Sequence, residues 1–132
     1  MIKRETPQEQ GLASATARNK QLLDELGQRT DSPLSCAVHL LGAEHLAGGR
    51  AYAYAWSVCG VVDAAAGGFP TLSVPLRYTL DGAGRVLAVD APGDGPGYAA
   101  GIRRLFPQDL RERVLAGKVD VKGLARLAHL RA

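Results

Sequence analysis

Only two of the 132 residues are cysteine, Cys36 and Cys59. Two cannot build a disulfide framework or a complete structural zinc site. No C-x-x-C or H-x-x-x-H spacing occurs, so neither a metal nor any other cofactor is expected. Long apolar runs are missing too: nothing approaches the roughly 18–20 residues that cross a bilayer. The start, Met1-Ile2-Lys3-Arg4-Glu5-Thr6-Pro7, is polar with no hydrophobic segment behind it and does not read as a secretory signal. The chain also lacks the G-K-[ST] of a phosphate-binding loop and a nucleophile elbow around Ser57 or Ser73. What is there is an ordinary globular composition, 46% hydrophobic and 22% charged, which argues against global disorder. The expectation is one soluble cytoplasmic domain over residues 1–132, with no membrane partner.

Charge is uneven. The net charge is +3 and the pI about 9.1, yet residues 103–132 carry +5 and residues 1–102 carry −2. A basic tail of this kind suits nucleic acid, another polyanion or an acidic protein. It equally suits a solvated helix face with cations near helix C-termini, where the macrodipole favours them.

Thr6-Pro7-Gln8-Glu9 has the pattern of a capping box, with Pro7 at the first helical position. The helix is expected over 7–26, with Leu12, Ala15, Asn19, Leu22, Leu23 and Leu26 on one face, Gly27 just past its end, and Asp31-Ser32-Pro33 as the exit. The pattern then changes to strands. Residues 50–59 alternate small and large with period two, which a helix would scatter around its surface. The runs 35–42 and 50–62 read as a hairpin around His45–Arg50. Asp63–Phe69 reads as a loop. Strands 71–80 and 85–90 follow, joined by Asp81-Gly82-Ala83-Gly84, with Pro75 pointing to an edge or an irregular position. Helices are expected over 97–106, 107–116 and 120–130, the last capped by Asp120. The fold class is α+β: an N-terminal helix, a four-stranded antiparallel meander, then C-terminal helices.

If the first hairpin turns on residues 46–49, Cys36 faces Cys59 and His39 faces Trp56, because opposed residues share a face. One face then carries small side chains: Ala53, Ala55, Ser57 and the cysteines. The other carries His39, Tyr52, Tyr54 and Trp56. Few short helices are available, so one face is expected to be short of cover, and a homodimer is the simplest way to supply it. Reduced thiols are the expected state of Cys36 and Cys59 in a reducing compartment, with a cross-strand disulfide as the alternative.

Three candidate sites follow. His39, Tyr52, Tyr54, Trp56 and Arg77 can form a pocket or an interface on the aromatic face, with Asp63 and Asp90 at its border. Gly95 and Gly97 precede a helix, and with Arg103 and Arg104 one turn further on they can hold an anion. Gly95-x-Gly97-x-x-Ala100 matches a relaxed dinucleotide fingerprint, but no parallel βαβ unit surrounds it. Arg111, Arg113, Lys122 and Arg126 extend the arginines into a polyanion surface. A Cys–His nucleophile pair is excluded in this register, since His39 points away from the thiols. No catalytic residue is assigned.

The runs Tyr52-Ala53-Tyr54-Ala55-Trp56-Ser57-Val58-Cys59 and Ser73-Val74-Pro75, then Gly93–Tyr98 continuing to Arg103-Arg104-Leu105-Phe106-Pro107, resemble a set of small uncharacterised bacterial proteins over residues 36–114. That resemblance implies no activity. By layout the chain also resembles cystatin-like folds, which host both pocket enzymes and dimeric binding modules. The expected function is a non-enzymatic interaction module forming a homodimer. The alternatives are nucleic-acid or polyanion binding and a small-molecule pocket.

Overall fold

Thr6 starts the first helix as its motif requires. In the computed structural model, which describes residues 5–28, 33–62 and 71–131, Thr6 Oγ1 accepts from the Glu9 N–H at 3.1 Å. The Thr6 N–H in turn donates to Glu9 Oε1 at 2.8 Å. Helix α1 (Pro7–Arg18) stops at Asn19, so the single helix expected over 7–26 is two. Asn19 leaves helical geometry at φ −85° and ψ 89°, and its side chain accepts from the Leu22 N–H at 3.0 Å. That bond starts α2 (Lys20–Glu25). Asparagine offers the backbone this local alternative, which is why it caps helices better than it continues them. The buried stripe of α1 is Glu9, Leu12, Ala13 and Thr16, displaced from the face the spacing of leucines suggested.

The end of α2 is a Schellman motif. The Gln28 N–H reaches Leu23 O at 2.8 Å and the Gly27 N–H reaches Asp24 O at 3.0 Å. Gly27 stands at φ 75°, where a side chain would be strained. Asp31, Ser32 and the expected loop from Asp63 to Phe69 lie outside the described residues.

Four strands form one sheet in the order β1-β2-β3-β4: β1 (Leu34–His45), β2 (Ala51–Val61), β3 (Leu72–Leu80) and β4 (Val86–Asp90). This is the expected antiparallel meander. One 3₁₀ turn, Ala47–Gly49, joins β1 to β2. The Val62 N–H donates to Pro33 O at 2.9 Å, consistent with the register that opposes Cys36 to Cys59. At the β3–β4 turn, Asp81 Oδ1 accepts from the N–H groups of Ala83 and Arg85, both at 2.9 Å. Chiefly the Arg85 N–H holds the Asp81 carboxyl below its ordinary range. Between β3 and β4, Thr79 opposes Ala88 and Leu80 opposes Val86, so Leu87 is an extra residue in a bulge. β3 is an inner strand, but its pairing with β4 starts at Arg77, so Pro75 stands outside that ladder.

Burial corrects a second expectation. Every residue of β2 from Ala53 to Gly60 is buried, so the small and the aromatic faces of this strand are both covered.

The residues group into two compact units. One comprises Met1–His39, Trp56–Val74 and Asp120–Ala132, the other Leu40–Ala55 and Pro75–Val119. In the first, α5 (Val121–Arg131) starts at Asp120, whose Oδ1 accepts from the Gly123 N–H at 2.9 Å. The Ser35 hydroxyl donates to Ala128 O at 2.6 Å, which fixes α5 to β1. In the second, α3 (Tyr98–Leu105) and α4 (Gln108–Ala116) are joined by Arg111. Its guanidinium donates to Phe106 O and Arg103 O, both at 2.9 Å, filling acceptors that a helix end leaves open. Pro107, at φ −66° and ψ 157°, sits just before α4 instead of inside its first turn.

Candidate functional site

Strand alternation sends Tyr52 and Tyr54 to one face of β2 and Arg77 joins them from β3, all within the second unit. The Arg77 guanidinium lies over the Tyr52 ring, 4.3 Å from its centroid. Its Nη2 donates to Asp90 Oδ2 at 3.0 Å, across the β3–β4 register that opposes these two residues. The Tyr52 and Tyr54 ring centroids are 6.2 Å apart, and Phe106 packs on Tyr54 at 5.3 Å. Such tilted pairs contribute beyond the area they bury.

The Tyr54 hydroxyl donates to Glu44 Oε2 at 3.0 Å. Burial first, then the neighbouring carboxylate, pushes the phenol well above its ordinary value, so at neutral pH it is a donor and not a base. This arrangement is a set of groups bonded to one another.

His39 and Trp56 have partners of their own. Both belong to the first unit, where His39 Nδ1 lies 3.8 Å from Glu9 Oε2 and the Trp56 Nε1–H donates to Ser73 Oγ at 2.8 Å. Trp56 is 8% exposed. Of the five residues expected to share a site, Tyr52, Tyr54 and Arg77 touch one another in the second unit. Asp63 lies outside the described residues, and Asp90 is Arg77's partner.

Glu9 and Glu44 were missed as partners of His39 and Tyr54. Glu9 carried a readable signal: with Leu12, Ala13 and Thr16 it completes the i, i+3, i+4, i+7 pattern of a buried face. Glu44 carried none.

Cys36 and Cys59 are bonded, with a Cα–Cα distance of 4.1 Å. The expectation of two reduced thiols is overturned, because direct opposition in the hairpin brings the sulfurs within bonding reach. Beside Cys36, also in the first unit, is a cavity of about 370 Å³ between α1 and the start of β1.

The glycine–arginine candidate spans a turn and the far end of the helix after it. Gly95–Gly97 is a 3₁₀ turn in which the Gly97 N–H bonds Asp94 O at 3.1 Å. Arg103 and Arg104 are exposed in the last turn of α3. Six residues of helix put about 9 Å between Gly97 and Arg103. The loop's closeness to α3 has a packing cause. A Cβ on Gly101 would lie 2.8 Å from both Gly93 N and Pro92 Cα, so only glycine lets the loop cross the helix there.

Among the described residues no group of three or more histidine, cysteine, aspartate or glutamate side chains is placed to hold a metal ion. No helix there is long and apolar enough to cross a membrane. No protein-family model, curated protein or solved structure matches this chain.

Proposed function

We propose that this chain is a bacterial, non-enzymatic interaction module that pairs with a second copy of itself through the edge of β4; the cytoplasmic location expected from the sequence sits poorly with the Cys36–Cys59 bond and is not carried into the proposal. The observation that carries the reading is the exposure of that edge. β4 is a terminal strand of the sheet, and Leu87 within it is 52% exposed beside an exposed Ala88. An unpaired strand presents a row of backbone donors and acceptors, and apolar side chains on it favour association. Antiparallel pairing about Ala88 would set Leu87 of each copy opposite Val89 of the other. The strand has five residues and a bulge, which limits the ladder to a few bonds. The expected association is therefore weak and concentration-dependent.

Light scattering across a concentration series tests it. Leu87→Lys should weaken the dimer by about tenfold or more, since a buried apolar contact becomes a charge at an edge. A wild-type chain that stays monomeric at millimolar concentration (about 1 mM is a −4.1 kcal/mol interaction) would end the proposal.

A second reading has its own support. Arg103, Arg104 and Arg113 are exposed on α3 and α4, whereas Arg111 is held by backbone carbonyls. Nucleic acid or an acidic protein bound there would be released steeply by salt. Salt-insensitive retention on heparin would remove that reading.

A further inference from the structure

Both bonded cysteines are buried, Cys36 being 3% exposed, and they differ in that only Cys36 lines a cavity. Cys36 lines the cavity in the first unit, where Gln10, Ala13, Ser14 and Ala17 of α1 face Leu34 and Cys36 of β1. Cys59 is 0% exposed and takes no part in the lining. Sheet order adds a direction: Cys36 is on the outer strand β1 and Cys59 on the inner strand β2. Thiol–disulfide exchange is an in-line displacement, so the nucleophile must approach one sulfur from the side remote from the other. For Cys36 that side is the edge of the sheet. For Cys59 it is the interior.

About 370 Å³ lies at the lower end of the roughly 300–1,000 Å³ typical of small-molecule sites, room enough for a small thiol. Ala13, Ser14 and Ala17 leave the room, and the exposed Gln10 and Ser14 side chains offer donors and acceptors at the rim.

We infer that this cavity admits a low-molecular-weight thiol that exchanges with the disulfide at Cys36. The thiolate attacks Cys36 Sγ, a mixed disulfide forms there, and the Cys36–Cys59 bond breaks with its electron pair on Cys59 Sγ. Buried in apolar surroundings, the released thiolate takes a proton from water to become a thiol. A second thiolate attacking the mixed disulfide frees Cys36 and leaves as the small-molecule disulfide. Two small thiols are oxidised and the protein pair is reduced. The pairing of Val62 with Pro33 holds the hairpin while the sulfurs part, so the bond can re-form. The inference is independent of any association through β4.

The test treats the oxidised full chain with 2-mercaptoethanol under native conditions, quenches in acid, alkylates, and maps peptides by mass. The expected product carries the adduct on Cys36 and the alkyl group on Cys59, in about tenfold excess over the reverse. Filling the cavity with Ser14→Phe, or independently with Ala17→Leu, should slow the native reaction about fivefold or more, through access alone, and leave the rate in denaturant unchanged. Equal labelling of the two sulfurs, preference for Cys59, or cavity-filling variants that react like the parent would each overturn the inference. So would a native rate that merely tracks global unfolding.

Discussion

Gly101→Ala sets helix propensity against packing, and the two give opposite signs. Gly101 lies inside α3, where replacing glycine by alanine is worth about 0.8–1.0 kcal/mol to an unhindered helix. Here the new methyl would sit 2.8 Å from Gly93 N and Pro92 Cα and 2.9 Å from Pro92 Cβ. Carbon atoms pack best at about 3.5–4.0 Å, so the overlap approaches 1 Å. Two of the three atoms are backbone and cannot rotate away. Overpacking on this scale costs about 1–3 kcal/mol and sometimes more. The sum is a net destabilisation of up to about 2 kcal/mol.

Gly11→Ala is the matched control. Gly11 is exposed in the middle of α1, and nothing lies within 4 Å of a Cβ built on it. There the propensity gain is unopposed, and stability should rise by about 0.8–1.0 kcal/mol. Urea unfolding of the three proteins reads both signs from the midpoints, at constant slope. A Gly101→Ala midpoint at or above the parent's, alongside a stabilised Gly11→Ala, would refute the account of the Pro92–Gly93 crossing.

Two further outcomes are expected. Tyr54, its pKa raised by burial and Glu44, and Tyr98, raised by burial, hold their protons more tightly folded than unfolded. Their contribution is whole below about pH 10, the unfolded phenol's value, and is lost as pH rises beyond it. Tyr54→Phe should flatten the alkaline stability profile and cost about 1 kcal/mol at neutral pH; an unchanged slope would contradict the cause given for the shift. Reducing the disulfide opens a loop of sequence separation 23, worth about 3.4 kcal/mol in unfolded-chain entropy. The urea midpoint should fall accordingly when dithiothreitol is added, and an unmoved midpoint would mean that the unfolded chain keeps the hairpin closed.

Local features of the fold were legible because their causes are local. The capping box is written within four residues, and the turn at Asp81–Gly84 within five. The period-two run through β2 needs no knowledge of what it packs against. The break at Asn19 was readable only in part, since a single asparagine weakens a helix without specifying that it will end there. The opposition of Cys36 and Cys59 followed from hairpin register, but their bonding did not. A reducing compartment argues for free thiols, while the geometry of directly opposed residues favours the bond. The candidate site was less legible still. Trp56–Ser73 and Arg77–Tyr52 depend on how β3 meets β2, and Glu9–His39 depends on where α1 lies along β1. Periodicity specifies which side a residue takes and not how far one element slides along another.

That sliding gives the Arg77 cluster its physical meaning. Arg77 Nε is buried without an acceptor among the described residues, a cost of about 1–3 kcal/mol. Against it stand the stack on Tyr52, worth about 0.5–2 kcal/mol, and a partly exposed bond to Asp90 that adds less than a buried one would. The terms nearly cancel, so net stability does not explain an arginine here. Geometry does. A planar guanidinium can lie on one ring while a separate nitrogen reaches a carboxylate on the next strand, which an ammonium cannot do from one position. A slip of β3 by one residue would turn Arg77 to the opposite face, away from both Tyr52 on β2 and Asp90 on β4. The same slip would leave Tyr52 uncovered and Asp90 unpaired. The cluster thus contributes most by making one alignment of β2, β3 and β4 far better than its neighbours, and so by fixing which residues β4 offers at its open edge.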